Sequence, residues 1–586
     1  MAILGIDVGG TFTDAVLLHE GSLYTAKVPT QQAQEDSVIE AALDVLHQAG
    51  MPCVERFTHG TTVATNALLE RKGARTAFVC TDGFEHILHL RRQNRAHLYR
   101  LDAAHAEPLV PLERCFGVRE RIGPDRTLVP LDLDSLPWFD AEAIAVCLLF
   151  SFRDPSHEMA VVDEVRRRHP GAHVVASHEV APEFREYERA STTVADAYLG
   201  PIAARYLRSL GAAAVTAGLP EPLVMRSSGG VASIDEAAAH PAVILVSGPA
   251  AGVVGAERIA ALAGCENAIA FDMGGTSTDV CLIAGGKAGR SQGREVAGFP
   301  VRLPMVDIHT VGAGGGSIVW RDAGGALRVG PGSAGATPGP ACYGRGGLEA
   351  TVTDANLLLG RLPLDLPGGL ALDVDAASRA LAGIDPQAVV DVVNAEMLRA
   401  LRVVSVERGH DPVDFALVAF GGAGPLHACA LADELGCRTV LVPEAAGVLS
   451  ALGLVASDER RDHVRSLVQP LAEAGELPVE GEASLRYAGQ SFELAVALGD
   501  GLAERFHAAH EERYGYADRE RMIELVALRT AETRPGPEIL LARAERLSVS
   551  VAGPQLVELA GASCWVPGDW AGTTDGQGTF VLRRQP

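Results

Sequence analysis

An eight-residue frame occurs twice in this chain, 265 residues apart, and it constrains the fold more than any other feature. The copies are Asp7-Val8-Gly9-Gly10-Thr11-Phe12-Thr13-Asp14 and Asp272-Met273-Gly274-Gly275-Thr276-Ser277-Thr278-Asp279, identical at six of eight positions. Each follows a short apolar run (Ala2 to Ile6; Ala268 to Phe271) and precedes another (Ala15 to Leu18; Val280 to Ile283), the pattern of strand, tight turn, strand. Any tight hairpin would satisfy a single Asp-x-Gly-Gly. Two copies that also agree at the Thr and final Asp positions exceed what a turn requires, and they predict two related hairpin-led lobes.

The same frame carries chemistry. A strand ending in Asp, followed by Gly-Gly-Thr, sets a carboxylate beside backbone N–H groups that no side chain obstructs, and such N–H clusters bind phosphate. Gly9, Gly10, Gly274 and Gly275 supply the open backbone, and Thr11, Thr13, Thr276 and Thr278 are candidate hydroxyl donors. Asp7 and Asp272 are candidates for holding a hydrated Mg²⁺, an ion usually bound through one or two carboxylates plus substrate phosphates. Two such hairpins facing each other would grip a polyphosphate from both sides. No G-x-x-x-x-G-K-[ST] motif occurs, so this is a different phosphate loop. Phe420-Gly421-Gly422-Ala423-Gly424-Pro425 follows a strand and leads into the apolar stretch Leu426 to Leu435. Its glycines Gly421, Gly422 and Gly424 would let a nucleobase or ribose lie against the backbone; taken alone a plain strand-to-helix turn is the better reading, and the nucleotide reading gains its weight from the two phosphate loops.

Around these motifs the pattern alternates helix and strand. Gln34 to Ala49 has helical spacing, Thr76 to Cys80 and Ala143 to Phe150 read as strands, and Glu158 to His169 reads as a charged amphipathic helix. Arg185 to Leu210 reads as a long helix carrying the chain into the second lobe. Gly312 to Gly347 is Gly-rich and loop-like, and long loops of that kind are usually functional or disordered. Val389 to Arg408 reads as a helix capped by Gly409, and Phe415 to Ala419 as a strand. From about Val464 come β-like stretches at Leu485 to Tyr487, Phe492 to Leu498 and Ile523 to Arg529. The chain of 586 residues is therefore expected to be an α/β protein with a first lobe over 1–184, a second over 185–463 and a smaller accessory domain over 464–586.

Composition narrows the class of function. Fifty Lys and Arg against 74 Asp and Glu give a net charge of −24, which repels a phosphate backbone at long range, so no nucleic-acid partner is expected. The ten cysteines include no C-x-x-C pair and read as reduced, mostly buried thiols. The N-terminus lacks a basic region before its apolar run, and the longest uncharged stretch, Ala237 to Ala256, is broken by prolines and glycines. A cytoplasmic protein with no membrane segment is the expectation.

On these residues the chain resembles the hydantoinase A and 5-oxoprolinase family within the actin, hexokinase and Hsp70 ATPase superfamily. The resemblance rests on Gly5 to Asp14, Thr58-His59-Gly60-Thr61-Thr62-Val63-Ala64-Thr65-Asn66-Ala67-Leu68, Glu186-Tyr187-Glu188-Arg189 and Ser247-Gly248-Pro249-Ala250-Ala251-Gly252. It continues through Asp272 to Thr276, Val306-Asp307-Ile308-His309-Thr310-Val311-Gly312-Ala313-Gly314-Gly315-Gly316-Ser317, Gly339 to Gly344, Phe420 to Pro425 and Arg486 to Gln490. It implies a two-lobed actin-like (ribonuclease H-like) ATPase core using ATP and Mg²⁺ with a hydantoinase B-type partner subunit. It also implies either hydrolysis of a cyclic amide (hydantoin, 5-oxoproline or lactam) or carboxylation of a ketone with bicarbonate. Both would begin by phosphorylating an oxygen, a step that needs mostly positioning and charge neutralisation. A nucleotide-driven switch of the actin or Hsp70 kind is the alternative from another class, and a sugar kinase is a further one that the Val306 to Ser317 and Gly339 to Gly344 segments disfavour by resemblance.

Other residues are candidates with bland alternatives. His59 could donate to a substrate carbonyl or act as acid/base, or be a turn histidine bonded to backbone. Asp307 and His309 share one face of a presumed strand and could be metal ligands, an acid/base couple, or an oriented pair that structures the following glycine loop. Cys342 has no identifiable base beside it. Arg91, Arg92 and Arg95 could face an anionic substrate or partner, or form a solvated loop. Against the family pattern Asp196, Ser228, Gly332 and Thr337 depart from the residues usual at those positions, which bears on substrate and partner and leaves the ATP loops intact.

Overall fold

A computed structural model describes residues 1–366, 370–538 and 549–585. Both copies of the repeated frame form antiparallel hairpins with the same register. Ala2–Val8 pairs with Phe12–His19, setting Asp7 opposite Asp14 and Val8 opposite Thr13. Ala268–Met273 pairs with Thr278–Ala284, setting Asp272 opposite Asp279 and Met273 opposite Thr278. The first strand of each is apolar without alternation because both of its faces are covered, as in the buried strands of α/β folds. The turns close alike, with Gly9 N donating to Phe12 O at 2.9 Å and Gly274 N to Ser277 O at 3.1 Å.

Each hairpin leads a large sheet. In the first, Ala2–Val8 runs parallel to Arg56–Gly60, which neighbours Leu223–Met225 and then Val231–Ala232. In the second, Ala268–Met273 runs parallel to Ala416–Phe420, which neighbours Thr439–Val442. A separate five-stranded sheet, centred on Thr76–Thr81 with Ala143–Cys147 and His173–Ala176 on one side, packs under the helix Glu186–Thr216. The helices Ser247–Leu262 and Leu449–Ala456 cross between the two large sheets. They touch backbone to backbone, and a Cβ at Gly255 would meet Leu449 O at 2.7 Å.

Three boundaries differ from the sequence reading. The helix Glu186–Thr216 does not carry the chain into the second lobe: it packs on the first, and Leu223–Met225 and Val231–Ala232 still belong to the first sheet. Gly312 to Gly347 is not all loop, because Ser317–Arg321 and Leu327–Ser333 form a hairpin whose turn is closed by Asp322 and Gly325. Residues after 464 are shared out. Glu459–Pro470, Glu482–Tyr487, Leu494–Ala497 and Ile523–Arg534 extend the first sheet and cover a core of their own around Tyr487 and Phe506. Trp570–Thr574 and Phe580–Arg584 return to extend the second sheet beside Thr439–Val442. All ten cysteines are free and eight are buried. Among the described residues no helix is long and apolar enough to cross a membrane.

Candidate active site

The hairpin register decides which motif residues reach the cleft. Gly10 and Thr11 at one tip, and Gly275 and Thr276 at the other, are exposed, whereas Thr13 and Thr278 point into the fold and are fully buried. Thr13 Oγ1 lies 3.1 Å from Thr30 Oγ1, and Thr278 Oγ1 donates to Ala313 O at 2.6 Å. The expectation that Thr13 and Thr278 offer hydroxyls to phosphate is corrected: strand alternation turns them inward, where they brace the turns. The groups left open at the tips are the backbone of Gly10 and Gly275 and the side chains of Thr11 and Thr276.

Asp7 and Asp272 end the two leading strands and keep only partial exposure. Asp7 Oδ1 is buried without a hydrogen-bond partner. Burial, then the nearby Asp14 charge, raises the Asp7 pKa to about 7, with Lys27 opposing. Burial, then Asp279, Asp7 and Asp14, raises Asp272 to about 8, again with Lys27 opposing. The charges of Asp7 and Asp14 in the first hairpin therefore act on Asp272 in the second. An orphaned carboxylate oxygen and two carboxylates that hold protons near neutrality form an oxygen-only donor set suited to a hard cation. Among the described residues no group of three or more His, Cys, Asp or Glu side chains could hold a metal. A cation here would complete its shell with water and substrate oxygens, as Mg²⁺ does.

Glycines make room for both acids. A Cβ at Gly60, the register partner of Asp7, would collide with Asp7 Oδ1, and one at Gly248 would stand 3.4 Å from it. Gly421, just past Phe420 in the strand beside Asp272, has φ +78° and lies where a Cβ would collide with Asp272 Oδ1 and Met273 O. Gly421 thus sits against the acid itself. Gly422 is open toward the cleft side, and Gly424 begins the helix Gly424–Leu435.

The remaining candidates are placed elsewhere. His59 is a mid-strand residue with no exposed surface: Nδ1 donates to Ile6 O at 3.2 Å and Nε2 accepts from Tyr206 Oη at 2.9 Å. Burial lowers its pKa to about 4, so it is a neutral brace between strands and the acid/base expectation is corrected. Asp307 is paired with Arg408 in the 3-10 turn Val406–Arg408 that follows the helix Pro386–Val404, and burial together with Arg294 and Arg408 lowers the His309 pKa. The pair has no third ligand, and the metal expectation for it is corrected for the same reason: Arg408 occupies the carboxylate. Cys342 is buried, and burial next to Asp354 raises its thiol pKa, which leaves it inert. Arg91 and Arg92 are tied to Ala106 O and Glu188 rather than free in a loop. Arg189 is buried and donates at 2.8 Å to both Glu183 O and Leu148 O.

Sequence reasoning missed Lys27, whose register partner on the neighbouring strand is Asp14 and which forms an ion pair with it. The signal was available, since a strand antiparallel to the motif places a residue thirteen positions on beside its final acid.

Two packed α/β lobes, each led by a hairpin with a matched Asp and Gly-Gly-Thr tip, define the class of this protein. The hydantoinase/oxoprolinase profile matches residues 189–463 and its N-terminal-region profile matches 3–169, and the chain belongs to this family. It is 34% identical to the caprolactamase subunit alpha of Pseudomonas jessenii over 99% of this chain and 98% of that one. It is 36% identical to the acetophenone carboxylase gamma subunit of Aromatoleum aromaticum over 77% of this chain and 67% of that one. The crystal structure of the ATP-dependent caprolactamase from Pseudomonas jessenii superposes with a TM-score of 0.85 at 31% identity, covering 99% of this chain and all of that chain.

Proposed function

We propose that this chain is the ATP-binding subunit of an ATP-dependent cyclic amide hydrolase, which phosphorylates the amide oxygen before water opens the ring. The observation that carries the reading is the pair of matched hairpins, with the Asp7 and Asp14 charges near enough to act on Asp272 and with Gly10 and Gly275 open at the two tips. The family and the near full-length likeness to a caprolactamase subunit support a lactam-type substrate. The backbone N–H groups of the tips, with Thr11 and Thr276, would hold the phosphates; Gly421, Gly422 and Gly424 would lie at the adenosine. Asp7 and Asp272 would hold Mg²⁺, which supplies charge neutralisation to the phosphates when bound. An amide carbon is a weak electrophile; moving the terminal phosphoryl group of ATP onto the amide oxygen opens the carbon to water, the ring nitrogen takes a proton and leaves the tetrahedral carbon, and a second water cleaves the remaining acyl phosphate to carboxylate and inorganic phosphate.

The relative's name as a subunit supports a second chain, which we assign as a hydantoinase B-type subunit that completes the amide site. The test is Mg-ATP-dependent phosphate release by the copurified pair with caprolactam, 5-oxoproline and hydantoin, with the ring-opened product identified by mass. No stimulation by any cyclic amide would sink the reading. The likeness to an acetophenone carboxylase subunit supports one rival, a ketone carboxylase, and phosphate release that requires a ketone plus bicarbonate would establish it instead.

A further inference from the structure

We propose that Lys27 is the cationic phosphate-contacting residue of the cleft, delivered by the third strand of the first lobe and aimed by Asp14. The inference rests on the ATP reading above and adds to it a residue outside both repeated motifs.

Composition makes this position unusual. Only three of the 50 basic residues are lysines, namely Lys27, Lys72 and Lys287; the rest are arginines. Lys72 and Lys287 are surface residues, whereas the Lys27 side chain is 24% exposed. An ammonium is a compact point charge on a slender stem, able to reach a phosphate oxygen where a planar guanidinium would not fit.

The geometry puts that charge at the meeting point of the two lobes. Ser22–Pro29 is antiparallel to Phe12–His19, and its register sets Lys27 beside Asp14, with Nζ 5.3 Å from the Phe12 ring centroid. The tip of the hairpin formed by Gln555–Leu559 and Ala562–Val566 lies next to the Lys27 stem: a Cβ on Gly561 would stand 3.1 Å from Lys27 Cε. Gly561 also abuts Gly447, and its carbonyl is 4.0 Å from where a Gly422 Cβ would be. Lys27 is therefore held between the first phosphate hairpin and the glycine loop of the second lobe. Its charge acts on Asp7 and on Asp272 alike, lowering both against the effect of burial.

An ammonium has three donors, and the bond to Asp14 uses one. Two remain for phosphate oxygens. Asp14 fixes the ammonium itself, which makes it a positioning residue, and the Lys27 side chain keeps partial exposure. A cleft lined by Asp7, Asp14, Asp272 and Asp279 would otherwise repel a polyphosphate, so a fixed positive group beside the tips answers a definite electrostatic need.

The experiment is calorimetric titration of Mg-ATP and of adenosine, which carries no phosphate, into the wild-type chain, Lys27→Met, Lys27→Arg and the double variant Lys27→Met/Asp14→Asn. The double variant removes the pair without leaving a lone buried carboxylate, so it keeps the test alive if Lys27→Met is unstable. Lys27→Met and the double variant are expected to weaken ATP by about 10- to 100-fold while leaving adenosine affinity unchanged, and Lys27→Arg to recover part of the loss. Wild-type ATP affinity retained in both neutral variants would overturn the role of Lys27 alone. Loss of ATP and adenosine affinity together would also overturn it, assigning Lys27 to structure, and a wild-type chain that binds no ATP would overturn the nucleotide reading with it.

Discussion

The two hairpins are alike where their sequences agree and different where they are held. Register, tip exposure and the buried second threonine match in both. The first hairpin is braced by side chains: Thr30 bonds Thr13 and Gly9 O, Lys27 bonds Asp14, and His59 bonds Ile6 O. The tip of the second is held by backbone: Gly315 N and Gly316 N donate to Gly274 O and Gly275 O at 3.0 and 2.7 Å, and a Cβ on Gly314 would meet Gly275 at 2.7 Å. Ala419 stands at the register position that His59 occupies in the first lobe, and Asp279 is held by Thr310 rather than by a lysine. The motif thus encodes the turn and the acid, while the support for each turn is built independently, one side polar and adjustable, the other a glycine collar.

The sharpest test of the likeness is the acids. Asp272→Asn and Asp7→Asn are each expected to lower ATP turnover by at least about 100-fold, with thermal stability kept or slightly raised because a buried charge is removed. Full turnover in either variant would show that the hairpins are not functional equivalents.

Next in size is the glycine beside each acid. Gly421→Ala adds a Cβ against Asp272 and forces Ala into positive φ, for an expected loss of about 3 kcal/mol; Gly60→Ala has only the first fault and should lose less. Denaturant midpoints check the order, and equal losses would mean that φ at Gly421 contributes nothing.

The buried threonines separate the two modes of support. Thr278→Val leaves Ala313 O without its donor and should lose about 1 to 2 kcal/mol. Thr13→Val should lose less, because Thr30 keeps its 3.0 Å bond to Gly9 O. The reverse order, in the same urea titrations, would break the distinction between a side-chain brace and a backbone collar.

The smallest effect is acid sensitivity confined to the first lobe. The folded pKa of His59, about 4, lies below its unfolded value, so the unfolded state binds the extra proton first. Its contribution is intact above about 6.5 and is lost as pH falls toward 4, amounting to about 1 kcal/mol near pH 5.5. Hydrogen exchange should show strands around Ile6 loosening before those around Phe271, and His59→Gln should abolish that difference.

Much of this was legible in the sequence for a physical reason: two strands and a Gly-Gly turn are local, and so is the step from Ala416 to Leu435. Support is not local. His59 reads as a turn residue in Thr-His-Gly-Thr-Thr because nothing in that string reveals that strands cover it on both sides. Thr13 and Thr278 looked like donors because motif logic ignores alternation. Lys27 was missed because its place beside Asp14 depends on the register of a neighbouring strand thirteen residues on, which the motif itself does not contain. Asp307 and His309 looked paired because spacing cannot show that Arg408 arrives from a distant helix.

The order in which strands are shared has a consequence for synthesis. Val231–Ala232 in the first sheet pairs with the strand beginning at Glu459, and the second sheet waits for Trp570–Thr574 and Phe580–Arg584. A ribosome that has made the first 184 residues, or even the first 450, has not yet supplied the strands that cover either sheet's open edge. The nascent chain therefore carries unpaired sheet edges through most of its translation, and fragments cut between the two family profiles inherit that exposure as a tendency to aggregate.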